Sequence, residues 1–364
     1  MSLQSEVVSP QIDAYFDNRS HLKHYINYKE HVSLTRNIDD VFISLKGISS
    51  STPFFHSSAF GDITGGGFYF RFGGKGIAVD PGIGFVAQMH KNNVFIDDID
   101  FVVITHNHID HSNDASSLSA MNFDYNRYLG REHEFFSEFF DIDKPKHSIV
   151  WIVDDASSVQ IKKFIDNENE LILLSDIADN GSVYHPISDD IAISAIHTKH
   201  IQNSEDSFGI KIKFQDDACA KIWGYSSDTA FFHELPSFLG DCETLILNVS
   251  DIYRSDVHQN RFKNSHLGYS GCVEIIKNTN AELVLVSEFA CINGDNRFDI
   301  AELLSKCDTK TKVLPTEVGL KISIPFETVF CSCCNRPSSL SNIKTIRPRR
   351  SFSNLIYVCN NCLL

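Results

Sequence analysis

Phe101-Val-Val-Ile-Thr-His-Asn-His-Ile-Asp-His111 is an apolar run that ends in a polar cluster: His106, His108, Asp110 and His111. A short, β-branched apolar run reads as a buried strand. The cluster therefore falls where a strand stops and a loop begins, the usual position of a site on an open α/β sheet. His106 and His108 are two residues apart, so an extended loop turns both rings to one side. Asp110 and His111 follow on the next bend and can serve a second ion beside the first. A lone histidine is more often a core or surface residue than a ligand. Three imidazoles and a carboxylate within six residues are instead the ligand set of zinc and similar metals.

His-x-His-x-Asp-His after an apolar strand resembles the signature of the metallo-β-lactamase superfamily, and the resemblance covers roughly residues 41 to 325. It implies an αββα sandwich, where periodicity alone gives only an α/β fold. It also implies roles for residues further along. Asp80 ends the strand in Lys75-Gly-Ile-Ala-Val-Asp-Pro-Gly82 and would hydrogen-bond the metal loop; an Asp-Pro-Gly turn is the equal alternative. His200 stands between two strands, just before Phe208-Gly209, and matches the third histidine, with His197 as the fallback. Asp228, in Ser-Asp-Thr, would bridge two cations with its two oxygens, or else cap a helix starting near Ala230.

The order of His266, a helix over Gly271 to Lys277, and a strand ending at Glu288 resembles tRNase Z and related phosphodiesterases. There a histidine before the helix donates a proton and a histidine at the strand's end is the last ligand. His266 matches the first. Position 288 departs from the pattern: its glutamate can ligate through oxygen, which favours a harder ion such as manganese, or can leave the second position weak. Asn248-Val-Ser250 also stands where tRNase Z carries a His-Glu pair, so the chain is not read as a tRNase Z. Asn296-Arg-Phe298 is similar to an Arg-Tyr pair of that family, but a surface Arg297 is favoured over a phosphate contact.

The chemistry so implied uses two divalent ions, zinc, manganese or a mixture, which share a water and lower its pKa. His106, His108 and His200 would hold one ion, Asp110, His111 and Glu288 the other, with Asp228 between. Asp110 and His266 are the residues expected at the chemical step, His266 giving a leaving alkoxide its proton.

A second metal pattern closes the chain. Cys331-Ser-Cys-Cys334 and Cys359-Asn-Asn-Cys362 read as two knuckles of a Cys₄ zinc ribbon. Cys331, Cys334, Cys359 and Cys362 would bind one structural zinc, and Cys333 is a spare. Strands over Ile343 to Ile346 and Asn354 to Val358 would form the hairpin, and so small a module needs its metal to fold. Thr345-Ile-Arg-Pro-Arg-Arg350 would touch nucleic acid or the acidic body of its own chain.

The remaining features set the frame for these sites. The 364 residues, 42% hydrophobic with 28 Phe, suffice for one large core. The expected organisation is an N-terminal extension over 1–40, a hydrolase domain over 41–326 and the ribbon over 327–364. Glycines frame a strand over Gly65 to Gly74, and turn geometry explains them better than phosphate binding. Further strands are expected over 41–45, 148–153, 171–174, 190–196, 207–214, 244–250, 281–289 and 319–324, and helices over 157–165 and 299–306. No apolar run is long enough to cross a membrane. Met1 to Val8 lacks the basic start and apolar core of a signal peptide, and ten cysteines without an export signal lead to the expectation of a reducing cytoplasm.

The net charge of −15 is uneven, because the tail from Cys331 carries five basic residues and no acidic one. An acidic body repels long polyanions. The expected substrate is thus a small anionic phosphodiester, or a nucleic acid held by the basic tail; a homodimer is a further expectation. Three functions stay open: a phosphodiesterase, a hydrolase of esters, thioesters or lactones on the same site, and a binding protein with a degenerate centre that uses the ribbon.

Overall fold

The computed structural model describes residues 40–47, 66–131, 146–165, 170–181, 183–200, 207–218, 220–250, 252–289, 296–346 and 356–363. The N-terminal extension, apart from Asp40, and the basic residues Arg347, Arg349 and Arg350 lie outside them. The chain divides into two units, and the larger, Asp39–Tyr125 with His147–Leu364, holds every described strand. Of the smaller unit only the end of the helix Ala115–Arg131 and Lys146 are described. No helix among the described residues is long and apolar enough to cross a membrane.

The strands run in chain order β1 Val41–Ser44, β2 Phe68–Phe72, β3 Lys75–Val79, β4 Phe101–Ile104, β5 Val150–Val153, β6 Leu171–Leu173, β7 His185–Pro186, β8 Ile191–His197 and β9 Phe208–Gln215. Then come β10 Ala220–Tyr225, β11 Thr244–Asn248, β12 Leu283–Ser287, β13 Lys312–Pro315, β14 Lys321–Ser323, β15 Val329–Phe330, β16 Pro337–Ser338, β17 Ile343–Ile346 and β18 Ile356–Cys359. One sheet has the order β16-β15-β14-β1-β2-β3-β4-β5-β6, the other β13-β12-β11-β10-β9-β8-β7, and β17 pairs with β18 alone.

Within each sheet, antiparallel strands give way to a parallel group: β3 to β6 in the first, β10 to β13 in the second. Parallel strands end on the same side, so each group brings several loop starts together at one rim. Asp80 follows β3, Thr105 follows β4, Ser226 follows β10, Val249 follows β11 and Glu288 follows β12.

The two sheets meet through aromatic residues of alternating strand positions. Phe42 of β1 lies 5.0 Å, ring centre to centre, from Trp223 of β10, and Phe70 of β2 lies 5.4 Å from the same indole. Phe70 also stacks on Phe214 of β9 at 5.7 Å, and Phe68 meets Tyr225 edge-on at 5.5 Å. β12 shows why its sequence is apolar throughout. Leu283 and Leu285 face this inter-sheet core, whereas Val284 and Val286 face a second core on the other side. That second core is covered by the helices Glu234–Phe238, Gly268–Asn278 and Arg297–Ser305. A strand buried on both faces has no polar alternation to show.

The structure departs from the sequence reading in several elements. The helix expected near Ala230 begins at Glu234, with His233 at its N-cap, so Asp228 is not its cap. β13, the helix Phe85–Lys91 and the helix Arg254–Gln259 were not anticipated. Lys312-Val-Leu-Pro315 is too short and too mixed to read as a strand alone; it forms because β12 pairs with it.

The cysteine tail is continuous with the sandwich. β15 and β16 extend the first sheet beyond β14, and Ile343, Tyr357 and Val358 join the inter-sheet core. The Tyr357 hydroxyl donates to the carbonyl of Pro315, and Lys312 Nζ donates to the carbonyl of Ile343 at 3.1 Å.

Truncating Trp223 to alanine would remove the indole shared by Phe42 and Phe70, and such core truncations cost about 3–5 kcal/mol. Urea unfolding of Trp223→Ala should show a loss of that order at unchanged slope; a loss below about 1 kcal/mol would mean that the sheets do not pack through this residue.

Candidate metal centre

Asp80 is the hub of the rim. One carboxylate oxygen accepts the backbone N–H of Thr105 at 2.7 Å, and the other accepts the Thr105 hydroxyl at 2.8 Å and the Tyr225 hydroxyl at 2.9 Å. The same oxygen lies 2.8 Å from His111 Nδ1. Burial pushes the Asp80 pKa up, but the charge of His111 and its hydrogen bond, with the Thr105 amide, hold it below the ordinary value. Asp80 thus fixes the end of β4 to β10 and turns His111 so that Nε2 points into the cluster. The alternative of a bare Asp-Pro-Gly turn does not account for these four bonds. Asp80 itself takes a left-handed backbone, φ 49°. Gly67 makes room for that bend, since a Cβ there would lie 2.2 Å from the Asp80 carbonyl oxygen.

One group of ligand atoms comes from His106, His108, His200 and Asp228, all within 4.8 Å of one another. His106 and His108 stand at the end of β4. The ring of His200 is 5.2 Å from that of His106 and 4.9 Å from that of His108. His200 Nδ1 is held 2.8 Å from the carbonyl of Ser265, which leaves Nε2 on the side of the cluster. Of the two histidines weighed for this position, His200 is in the cluster; His197 is on the exposed end of β8, 3.3 Å from Asp179. Asp228 is oriented by Asn248, whose Nδ2 donates to Oδ1 at 2.8 Å and to the Tyr225 hydroxyl at 3.1 Å. Its other oxygen lies 3.8 Å from His200 Nε2 and 3.6 Å from His111 Nε2.

The other group is Asp110, His111 and Glu288, again within 4.8 Å and all buried. His111 Nε2 lies 3.8 Å from Asp110 and 3.9 Å from Glu288. Burial and the neighbouring Lys46 lower the His111 pKa, but the carboxylates of Asp80, Asp110 and Asp228 outweigh them and raise it well above the usual value. Sequence reasoning did not find Lys46. It follows β1, is fully buried, and makes an ion pair with Glu288. Its only trace in the sequence is the glutamate where the pattern calls for histidine, because a buried carboxylate needs a cation.

These residues fit metal. His106 Nε2 is buried and makes no hydrogen bond, a costly arrangement unless a cation takes its lone pair. Burial first, then the charge of His111, keeps the His106 pKa well below its ordinary value, so its ring is a neutral donor.

His266 stands at the mouth of the cluster. Its Nε2 lies 3.4 Å from Asp228 Oδ2, its Nδ1 lies 3.1 Å from the Ser265 hydroxyl, and its ring is 5.1 Å from that of His200. Burial lowers its pKa, but the hydrogen bond to Asp228 and the charges of Asp228 and Glu288 raise it overall. Arg297 corrects the expectation of a surface residue. It is fully buried, bonds Glu317 at 2.8 Å and donates to the Thr316 carbonyl.

In the tail, Cys331, Cys334, Cys359 and Cys362 place their sulfurs within 4.8 Å of one another and could hold zinc. Burial raises the Cys331 thiol, but the backbone amides of Cys359, Cys334 and Cys333 bring it down to about 6, which favours the thiolate that zinc requires.

The family described as the beta-lactamase superfamily domain matches residues 76–287, more than half of the chain. Among solved structures, the metallo-beta-lactamase fold protein YhfI from Bacillus subtilis superposes with a TM-score of 0.59 at 15% identity, covering 78% of this chain and 99% of its own. A long form RNase Z from yeast gives 0.56 at 13% identity, covering 80% of this chain and 42% of its own. A diphosphatase from the PhnP family gives 0.51 at 14%, covering 78% and 97%. At these identities the likeness is one of fold. No curated protein sequence matches the chain. The family match spans β3 to β12, the strands whose ends carry all the clustered histidines and carboxylates, and the chain belongs to the β-lactamase superfamily.

Proposed function

We propose that the protein is a metal-dependent hydrolase of phosphodiesters, with a nucleotide, cyclic nucleotide or nucleic acid as substrate. His106, His108, His200 and Asp228 would hold one divalent ion. Asp110, His111 and Glu288 line a second position, which also demands positive charge, with Asp228 between the two. When bound, metal supplies the charge that polarises a phosphate and lowers the pKa of an attacking water.

The observation that carries the reading is His266. When water attacks the phosphorus of a phosphodiester and one P–O bond breaks, the alkoxide released needs a proton. His266 holds one beside the Asp228 carboxylate, with its side chain 24% exposed, so that it faces both the cluster and solvent. Asp228 keeps the imidazolium charged, and the Ser265 hydroxyl fixes its ring. Asp110, within the cluster, would help to orient the water.

Exposed aromatic residues on the segment that leads to His266 support a nucleotide. Tyr253 and Phe262 are 51% and 41% exposed. Phe231 stacks on Phe262 at 4.9 Å, and Lys263 Nζ lies 4.7 Å over the Tyr253 ring. Exposed rings with a lysine among them give a base a stacking surface and its phosphate a counter-charge. Names of fold relatives, an RNase Z and a diphosphatase, agree with phosphorus chemistry. The zinc ribbon, with one zinc on its four cysteines, completes the proposed cofactors. A cytoplasmic location and a role for the basic tail in holding polynucleotide belong to the same reading.

His266→Ala should lower turnover of a cyclic nucleotide or dinucleotide diester, whose leaving group is an alkoxide, by a factor of about 10²–10⁴, while bound metal measured by mass spectrometry stays unchanged. Full turnover in that variant would remove the reading, and hydrolysis of thioesters or lactones without any of phosphodiesters would move the chain to the ester class. Phe262→Ala should raise KM for a nucleotide diester several-fold, an energy of about 1 kcal/mol or more for a lost stacking contact, with kcat nearly kept; an unchanged KM would discard the stacking surface. Stripping metal with a chelator should end all turnover, and zinc or manganese should restore it.

A further inference from the structure

Lys46 and Glu288 are two departures that compensate each other. The resemblance implies a neutral imidazole at position 288; the chain has a carboxylate there, and a lysine directly against it. Lys46, at 0% exposed, is more deeply buried than any of the carboxylates around it: Asp110, Asp228 and Glu288 are 5%, 3% and 4% exposed. Asp80, Asp110, Asp228 and Glu288 are four buried carboxylates around His111, and such a gathering requires positive charge. Lys46 brings a cation that is tethered to the chain and cannot exchange with solvent.

A divalent ion entering between Asp110, His111 and Glu288 would have to share Glu288 with the ammonium and come within contact distance of it. Like charges at that distance repel most strongly in a buried site. The other group, His106, His108, His200 and Asp228, contains no ammonium and offers three imidazole nitrogens within 4.8 Å of one another and of the carboxylate. We propose that the ammonium of Lys46 takes the place of the second cation, so that the centre holds a single divalent ion on His106, His108, His200 and Asp228. Glu288 is then the counter-ion of Lys46 and not a metal ligand. Lys46 is a positioning residue: it holds Glu288, Asp110 and His111 in place and does not touch the substrate. This revises the pair of divalent ions implied by the resemblance, and it rests on the reading that the first group binds metal.

The test counts ions and needs no turnover. The full-length protein is stripped with a chelator, reloaded with excess zinc and desalted. Bound zinc is counted by mass spectrometry, and zinc-edge X-ray absorption divides it into sulfur-coordinated ions of the cysteine cluster and nitrogen- and oxygen-coordinated ions of the centre. The wild type should carry one nitrogen- and oxygen-coordinated zinc per chain with no metal–metal scattering. Lys46→Met should carry two, with metal–metal scattering. The double variant Lys46→Met/Glu288→His, which leaves no unpaired buried carboxylate at 288, should do the same and decides the matter where the single variant does not fold. Two such ions in the wild type, or one in folded Lys46 variants, would overturn the assignment alone. None in the wild type would overturn both it and the metal-dependent hydrolase reading.

Discussion

Negative charge gathered at the carboxyl ends of parallel strands is the constraint on which the rest of this structure depends. Asp80, Asp110, Asp228 and Glu288 are all buried at one rim. Removing an ion from water costs several kcal/mol even after relaxation. A unit charge about 4 Å away returns only about 4 kcal/mol at an effective dielectric of about 20. No single partner therefore suffices, and each carboxylate has several. Asp80 accepts from a backbone amide, two hydroxyls and an imidazole. Asp228 has Asn248 on one oxygen and three imidazoles near the other. Asp110 and Glu288 face His111, and Glu288 has Lys46.

The backbone bends to make this gathering possible. Asp80, Ser227, Ser250 and Glu288, at φ between 49° and 58°, are left-handed without being glycine. Each such residue costs of order 1–3 kcal/mol. All four fall just after strands of the parallel groups, where the chain must turn at once to present a side chain to the rim. Gly82 meets the same demand by having no side chain, since a Cβ there would lie 1.8 Å from the Asp110 carbonyl oxygen. The loop after β3 and the loop after β4 can touch only because of it.

What the sequence made legible followed from how local the signal was. His106 to His111 lie on one loop, so their residue types and spacing alone pointed to metal. His200, Asp228 and His266 are each isolated in the chain and became candidates only through the family resemblance; the sheet order brings them together. Lys46 gave no warning, because one lysine after a short strand ordinarily reads as solvated, and its burial depends on a glutamate more than 200 positions away. Arg297 misled for the same reason: its counter-ion Glu317 lies beyond β13, a strand that pairing rather than local pattern creates. Both cases place a buried cation opposite a buried carboxylate at long range, and single-residue preferences carry no information about such pairs.

The cysteine tail shows the same logic in an apolar setting. A Cys₄ hairpin of this size has too little core of its own. Ile343, Tyr357 and Val358 therefore lie in the core between the sheets, and the Tyr357 hydroxyl finds its partner in Pro315 at the end of β13. β13 is also the neighbour of β12, whose end carries Glu288. A zinc that stiffens the hairpin would thus stiffen the edge of the sheet that presents the Lys46–Glu288 pair. The tail is tied to β14 by backbone pairing and to β13 by the Tyr357–Pro315 and Lys312–Ile343 hydrogen bonds, whatever its outer face touches.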